Sequence, residues 1–198
     1  MSIKKSLIFG HVGITLTAGL VLKKAFSHKS AHVEPNETDV GTSLNRTSTL
    51  RKVVGKMDLR ILIAGSMLPD LIDKPLGQVI FKESIGNGRI YAHTLLFLIV
   101  ISAIGYHLYR ARQHVWLVAL SFGSLLHIIE DELWLMQKTL FWPFMSVTFD
   151  KLDLDYWIGG MWYEFLHDPG VYIPEWIGIA VVVGFAAWLF YRKEVQRF

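Results

Sequence analysis

Apolar residues occur along this chain in five long runs, and polar or aromatic segments separate them. Each run has about the length that a helix needs to cross roughly 30 Å of hydrocarbon. The pattern therefore predicts an all-α fold, a polytopic membrane helical bundle that forms a single domain over residues 1–198. The predicted spans are residues 6–22, 59–75, 90–109, 115–132 and 176–191.

The segments between the runs differ in character. Residues 25–58 are rich in Ser, Thr, Asn and Lys and lack a helical apolar period, which predicts a polar loop. Residues 134–176 combine many Trp, Phe and Tyr residues with acidic ones, a composition typical of a cap over a membrane face. The last run, residues 176–191, contains no candidate ligand and is interpreted as a C-terminal anchor helix.

The composition agrees with a membrane protein. Hydrophobic residues make up 52% of the chain, charged residues only 19%, and the mean hydropathy is +0.36. An average soluble chain is about 25% charged, so this one has few residues with which to cover a surface in water. The net charge of +3 is carried in loops and tails, which indicates topology signals and not a nucleic-acid partner. Because the chain has no cysteine, a bound metal would need nitrogen and oxygen ligands.

The fourth run ends in a histidine and an aspartate, His127 and Asp131, that are four residues apart. Residues i and i+4 lie on the same face of a helix, so both side chains can reach one point. An imidazole nitrogen and a carboxylate oxygen are ligands that zinc, manganese and iron accept. Ionisable residues at membrane depth are costly and usually functional, which makes this pair a candidate metal site.

Other candidate ligands lie at the ends of the remaining runs. His11 is near the start of the first run, with an interfacial histidine as the alternative interpretation. Asp70 and Asp73 follow Pro69 near the end of the second, where a Pro-Asp helix stop with an Asp73-Lys74 surface pair is equally compatible with the pattern. His93 is placed in the first turn of the third.

All these residues are predicted to lie at one end of the bundle. Consecutive helices run antiparallel, so the starts of odd helices and the ends of even helices share one membrane face. If that face is outside, the cytoplasmic segments (residues 23–60, 110–112 and 192–198) carry thirteen Lys and Arg residues, against seven elsewhere. For a multi-pass protein, the positive-inside rule therefore predicts that the site lies on the extracytoplasmic side.

A short internal similarity accompanies this arrangement. Residues 65–73 align without gaps to residues 123–131, and both stretches begin with Gly-Ser and end with Asp. Each follows a run with a histidine near its start. A parallel repeat of two helical hairpins would explain the similarity, and so would chance, because Gly-Ser is a common packing device at helix crossings.

Several of these motifs, in this order, resemble a family of membrane-bound, metal-dependent hydrolases that includes LexA-regulated inner-membrane proteins of bacteria and many archaeal relatives. The matching pieces are residues 9–11, 65–77, 88–94, 127–131 and 139–144, and they extend over about residues 6–145. The 68–77 stretch is most similar to the archaeal branch. The chain has Gly88 where the family has an additional histidine, but it keeps Arg89 and His93. The resemblance implies a divalent-metal hydrolase of the cytoplasmic (inner) membrane.

The donors and the resemblance together suggest a mechanism. The predicted metal ligands are His11, Asp70, His93, His127 and Asp131, around one or two divalent ions, with zinc favoured and manganese or iron as alternatives. Asp73 or Glu130 is the predicted general base, and Arg89 could bind a phosphate. A site at the level of lipid headgroups suggests membrane lipid as partner and a lipid or lipid-linked phosphoester as substrate.

Two other classes of function use the same residue types. A non-catalytic membrane protein with a structural metal would have a closed coordination shell, whereas an enzyme keeps a position for water. An ion or proton pathway would need polar residues continuing to the opposite membrane face, where the runs are apolar. An intramembrane zinc protease is disfavoured, because no His-Glu-x-x-His motif occurs.

Overall fold

The computed structural model describes residues 8–28, 49–151, 163 and 165–195. All regular secondary structure in these residues is helical, which confirms the predicted all-α fold. A π-helical turn at Leu76–Ile80 and a 3₁₀ turn at Leu133–Leu135 accompany the α-helices. The α-helices are α1 (Ile8–His28), α2 (residues 49–56), α3 (Leu59–Pro75), α4 (Leu95–Arg112), α5 (Trp116–Glu130), α6 (Gln137–Leu140) and α7 (Pro169–Val195).

Helix α5 lies at the centre of the bundle. It packs most extensively on α3 and also contacts α4 and α1, while α1 in turn packs on α3 and α7. Buried apolar residues fill both sides of α5. One cluster joins it to α2 and α3, and the other joins it to α4 and the 3₁₀ turn. The core residues of these two clusters are Val54, Met57, Leu62 and Ala119 in the first and Leu98, Ile101, Ile128 and Leu133 in the second.

Helices α3 and α5 cross at two glycines. A Cβ atom added to Gly65 would lie 2.2 Å from the carbonyl oxygen of Leu120, and one added to Gly123 would lie 2.2 Å from that of Leu62. The Ser124 hydroxyl donates a hydrogen bond of 2.9 Å to the Gly65 carbonyl across the same crossing. Small residues allow such close backbone contact between helices. The crossing therefore fixes the C-terminal ends of α3 and α5 side by side.

Several helix bounds differ from those expected. Helix α4 begins at Leu95 because the Thr94 hydroxyl caps it by accepting a hydrogen bond from the Phe97 amide, so His93 precedes the helix instead of occupying its first turn. The predicted polar loop, residues 25–58, contains α2 and the last turn of α1. Helix α7 begins at Pro169, earlier than the predicted anchor. Residues 29–48 of that loop and residues 152–162 and 164 of the predicted cap lie outside the described residues.

Two of the described helices are long and apolar enough to cross a membrane, namely α4 and the Pro169–Tyr191 part of α7. Most of their side chains are exposed, as lipid-facing helices require. Helix α5 is apolar but has 15 residues, and at 1.5 Å per residue it is about 22 Å long, shorter than the hydrocarbon layer. The count of five spans stays a prediction.

Candidate metal centre

Four parts of the chain bring ionisable side chains to one end of the bundle. His11 comes from the first turn of α1, and Asp70 and Asp73 come from the last turns of α3. His93 lies in the connection that precedes α4, and the end of α5 contributes His127 with Asp131 directly after it. The three imidazoles are no more than 1% exposed. The burial of His11 argues against its alternative interpretation as an interfacial histidine.

Three imidazole nitrogens and two carboxylates converge in this cluster. The Nε2 atoms of His93 and His127 are 3.2 Å apart. His93 Nε2 lies 3.5 Å from Asp70 Oδ1, and His11 Nε2 lies 3.4 Å from Asp131 Oδ1. Two ligands that bind one ion at about 2.0–2.2 Å in tetrahedral geometry are about 3.4 Å apart. Each of these three separations therefore fits two ligands of one metal ion.

The donors form two overlapping groups, and both could hold a metal ion. One group is His11, His127 and Asp131, and the other is Asp70, His93 and His127. Both include His127, whose Nε2 lies 3.8 Å from Asp131 Oδ2 and 3.9 Å from Asp70 Oδ1. Because His127 belongs to both groups, an ion held by either group would use its imidazole.

A buried carboxylate orients His93. Asp73 Oδ2 accepts a 2.7 Å hydrogen bond from His93 Nδ1, and the Asp73 carboxylate also accepts from the backbone amides of Ile90, Ala92 and His93. Both Asp73 oxygens are thus occupied. A carboxylate on Nδ1 fixes the tautomer and leaves Nε2 free to bind a metal. These contacts favour a positioning role for Asp73, and its alternative as the partner of Lys74 in a surface pair is wrong because Asp73 is fully buried.

His11 has the same kind of partner. Its Nδ1 lies 2.5 Å from Oε2 of Glu130, and the ring is thereby oriented with Nε2 toward Asp131. Glu130 differs from Asp73 because its second oxygen, Oε1, is buried without a hydrogen-bond partner among the described residues. Of the two predicted general bases, Glu130 is the one with an oxygen free to accept a proton.

Two cations lie on the outer side of the candidate aspartate ligands. Arg89 Nε donates to Asp131 Oδ2 at 2.6 Å, and Lys74 Nζ donates to Asp70 Oδ2 at 2.5 Å. The Arg89 side chain is 16% exposed and that of Lys74 is 40% exposed, so both are at the rim of the buried cluster. The cluster contains four carboxylates and these two cations, which leaves two negative charges if the imidazoles are neutral. A divalent cation would balance that charge.

One of the unpartnered buried atoms supports the same conclusion. Asp131 Oδ1 and His127 Nδ1 are buried without a hydrogen-bond partner in the described part of the chain. A buried polar atom without a partner costs about 1–3 kcal/mol, so such atoms are rare unless something else binds them. An ion held by Asp131 Oδ1 would satisfy that oxygen. The donor set therefore fits a divalent metal.

Two contacts near the cluster were not expected. Lys74 pairs with Asp70, which lies four residues earlier on α3, and a check of helical spacing could have found this pair. Glu175, within the segment predicted to be a cap, is buried and binds the start of α1. No pattern in the sequence links Glu175 to α1, because 165 residues separate it from Gly10.

The fold and the cluster define a helical protein with a buried histidine and aspartate site that could hold a metal ion. A family described as the YdjM inner membrane protein matches residues 7–195, so the chain belongs to this family of inner membrane proteins. The match confirms the predicted inner-membrane location and the membrane-protein part of the resemblance. Comparisons with curated proteins and with solved structures give no match.

Proposed function

We propose that this protein is a metal-dependent hydrolase held in the inner membrane. The observation that carries the proposal is the convergence of three imidazoles and two carboxylates in two overlapping groups that could each hold a metal ion, in a cluster where carboxylates orient two of the rings. An ion bound there would lower the pKa of a coordinated water toward neutrality and polarise a substrate oxygen. Zinc suits this mixture of nitrogen and oxygen donors, and manganese or iron are alternatives.

The residues of the cluster have separate roles in this proposal. Metal binding belongs to His11, Asp70, His93, His127 and Asp131. Asp73 and Glu130 orient the rings of His93 and His11, and Glu130 Oε1 accepts the proton of the attacking water. Arg89 and Lys74 hold the outer oxygens of the two ligand aspartates and place positive charge at the rim.

The proposed substrate is a phosphoester of a membrane lipid or of a lipid-linked molecule. Arg89 uses its Nε on Asp131, and no hydrogen bond within the described residues uses its terminal amino groups, which remain able to bind a phosphate. Apolar side chains are exposed on the segments that follow α3 and α6, for example Val79 at 74% and Phe144 at 85%. These side chains would lie in the lipid interface beside the rim, where a lipid headgroup can reach Arg89.

Metal analysis of the purified full-length protein tests the proposal. We expect one or two divalent ions per chain in the wild type and fewer in Asp131→Asn, which lacks the charge of one ligand. Asp150→Asn is the matched control, because the Asp150 side chain is exposed and pairs with Lys138 at the surface, away from the candidate ligands. If the purified wild type contains no divalent metal, the proposal is wrong.

The same preparations test the substrate. In mixed vesicles that contain a lipid phosphomonoester, the metal-loaded wild type should release phosphate. Arg89→Met should raise KM by roughly tenfold or more, which corresponds to loss of one charge-assisted hydrogen bond of about 1.5–3 kcal/mol. If the wild type binds metal but cleaves no phosphoester, the proposed substrate is wrong and the proposed metal site still stands.

A structural metal is the second candidate, and the burial of the three imidazoles favours it. A structural ion has a closed protein shell, whereas a catalytic ion keeps a position for water or substrate. X-ray absorption of the metal-loaded protein separates the two cases. A shell of protein ligands alone would support the structural role, and a coordinated water would support catalysis.

The proposed topology is multi-pass, with the cluster on the extracytoplasmic side. Because the chain has no cysteine, single cysteines can report the two ends of α4. Ser84→Cys lies in the exposed segment at the cluster end, and Gln113→Cys lies in the exposed connection at the other end. In intact cells, a membrane-impermeant thiol reagent should label Ser84→Cys and spare Gln113→Cys. The reverse result would put the cluster on the cytoplasmic side.

A further inference from the structure

Glu175 is a buried carboxylate outside the cluster of candidate ligands. It lies in the second turn of α7, and only 2% of its surface is exposed. An ionised side chain in an apolar bundle is costly unless hydrogen bonds compensate it. A buried Glu175 therefore needs hydrogen-bond donors, and these donors show which part of the protein its carboxylate holds in place.

Two backbone amides at the start of α1 donate hydrogen bonds to Glu175. The Phe9 amide donates to Oε2 at 3.0 Å, and the Gly10 amide donates to Oε1 at 2.9 Å. The first amides of a helix have no acceptor within the helix, and the helix dipole makes this end positive. A carboxylate from another helix thus caps α1 with both oxygens. His11 is the next residue along α1 after this double contact.

Close packing restricts the same part of α1. A Cβ atom at Gly178, one turn after Glu175, would lie 2.0 Å from the Phe9 carbonyl oxygen, and one at Gly13 would lie 2.3 Å from the Gly178 Cα. The backbone on both sides of His11 is therefore in direct contact with α7. Neither translation nor rotation of this turn is possible without breaking the Glu175 hydrogen bonds or separating the two helices.

We infer that Glu175 is a positioning residue for the metal centre, and this inference rests on the proposed metal binding. Glu175 holds the first turn of α1 at a fixed depth and rotation, and Glu130 then sets the tilt of the His11 ring. Helix α7, which the sequence marks only as an anchor, thereby becomes part of the structure that supports the site. Loss of the Glu175 charge would release α1 and move His11 Nε2 away from the other donors.

The experiment compares Co²⁺ binding by full-length wild type, Glu175→Gln and Glu175→Ala in detergent. Chelator competition gives the affinity, the visible absorption of Co²⁺ gives its ligand geometry, and thermal unfolding of the metal-free proteins gives stability. Ile177→Ala is the matched control, since Ile177 is 56% exposed on the same helix. Glu175→Gln preserves the shape of the side chain, so it remains informative if Glu175→Ala does not fold.

We expect Glu175→Gln to lose roughly 10- to 100-fold in Co²⁺ affinity, as mutations of residues behind metal ligands typically do, and to change the Co²⁺ spectrum. Ile177→Ala should match wild type in both. If Glu175→Gln keeps the wild-type Co²⁺ affinity and spectrum, the inference is overturned and Glu175 is only a packing residue. This holds whatever the melting temperature of the variant. Wild type that binds no metal would instead overturn the proposed function and this inference with it.

Discussion

Gly123→Ala is expected to separate α3 from α5 and to weaken metal binding at the same time. The new Cβ would lie 2.2 Å from the Leu62 carbonyl oxygen and 2.7 Å from the Ser66 amide nitrogen. Both atoms belong to the backbone of α3, so no side chain can rotate away and the helices must move. Overpacking of this kind costs about 1–3 kcal/mol, and a backbone clash at the central crossing should be at or above the upper end. The measurements are thermal unfolding in detergent and metal affinity.

Gly184→Ala is the control for this substitution. Gly184 also lies in a helix, but a Cβ atom there would meet nothing within 4 Å. Replacing such a glycine with alanine should leave stability unchanged or raise it by up to about 1 kcal/mol, because alanine favours the helix. If Gly123→Ala has the same melting temperature as Gly184→Ala and binds metal with wild-type affinity, the crossing does not control the site.

The crossing matters to the cluster because it joins two similar halves. Gly65 and Gly123 occupy equivalent positions in the repeated stretches 65–73 and 123–131, and each meets the backbone three residues before the other glycine. Across this crossing His11 faces Asp131 at 3.4 Å, and His93 faces Asp73 at 2.7 Å. The histidine that precedes each stretch thus meets the final aspartate of the other stretch. This exchange is what a repeat of two hairpins would produce.

The end of the bundle at which the polar side chains gather could be predicted from the sequence. Antiparallel helices place the start of α1 and the ends of α3 and α5 together, and the burial cost of His and Asp in apolar runs marks them as functional. The roles within the cluster could not be predicted. Asp73 and Asp131 occupy equivalent positions in the two repeated stretches, yet backbone amides surround Asp73 whereas Arg89 pairs with Asp131.

The bounds of helices were harder to predict than their existence. Helix α2 escaped prediction because it has only eight residues and its apolar positions, such as Val54, are interrupted by basic ones. Thr94 gives a capping signal that places His93 outside α4, but the apolar pattern continues through it. Glu175 was missed for a different reason: its partners are backbone amides, which no side-chain motif reveals.

His127→Ala is expected to abolish metal binding, with a larger effect than any other single change in the cluster. His127 belongs to both groups of candidate ligands, and its Nε2 lies within 4 Å of donors from three other residues, namely His93, Asp70 and Asp131. Mutation of a residue that hydrogen-bonds to a metal ligand typically lowers metal affinity roughly 10- to 100-fold. Loss of His127, a ligand shared by both groups, should lower the affinity by more than this. The cavity left by the ring would also lower stability, so unfolding of the metal-free protein is measured alongside affinity.

His107→Ala is the matched control, because His107 is an exposed histidine on α4 and belongs to neither group of candidate ligands. Metal affinity in His107→Ala should equal that of wild type. If His127→Ala folds and still binds one divalent ion with wild-type affinity, the ion is not held by this cluster. The convergence of imidazoles at the end of α3 and α5 would then need a different explanation, such as a hydrogen-bonded core, and the proposed hydrolase would lose its metal.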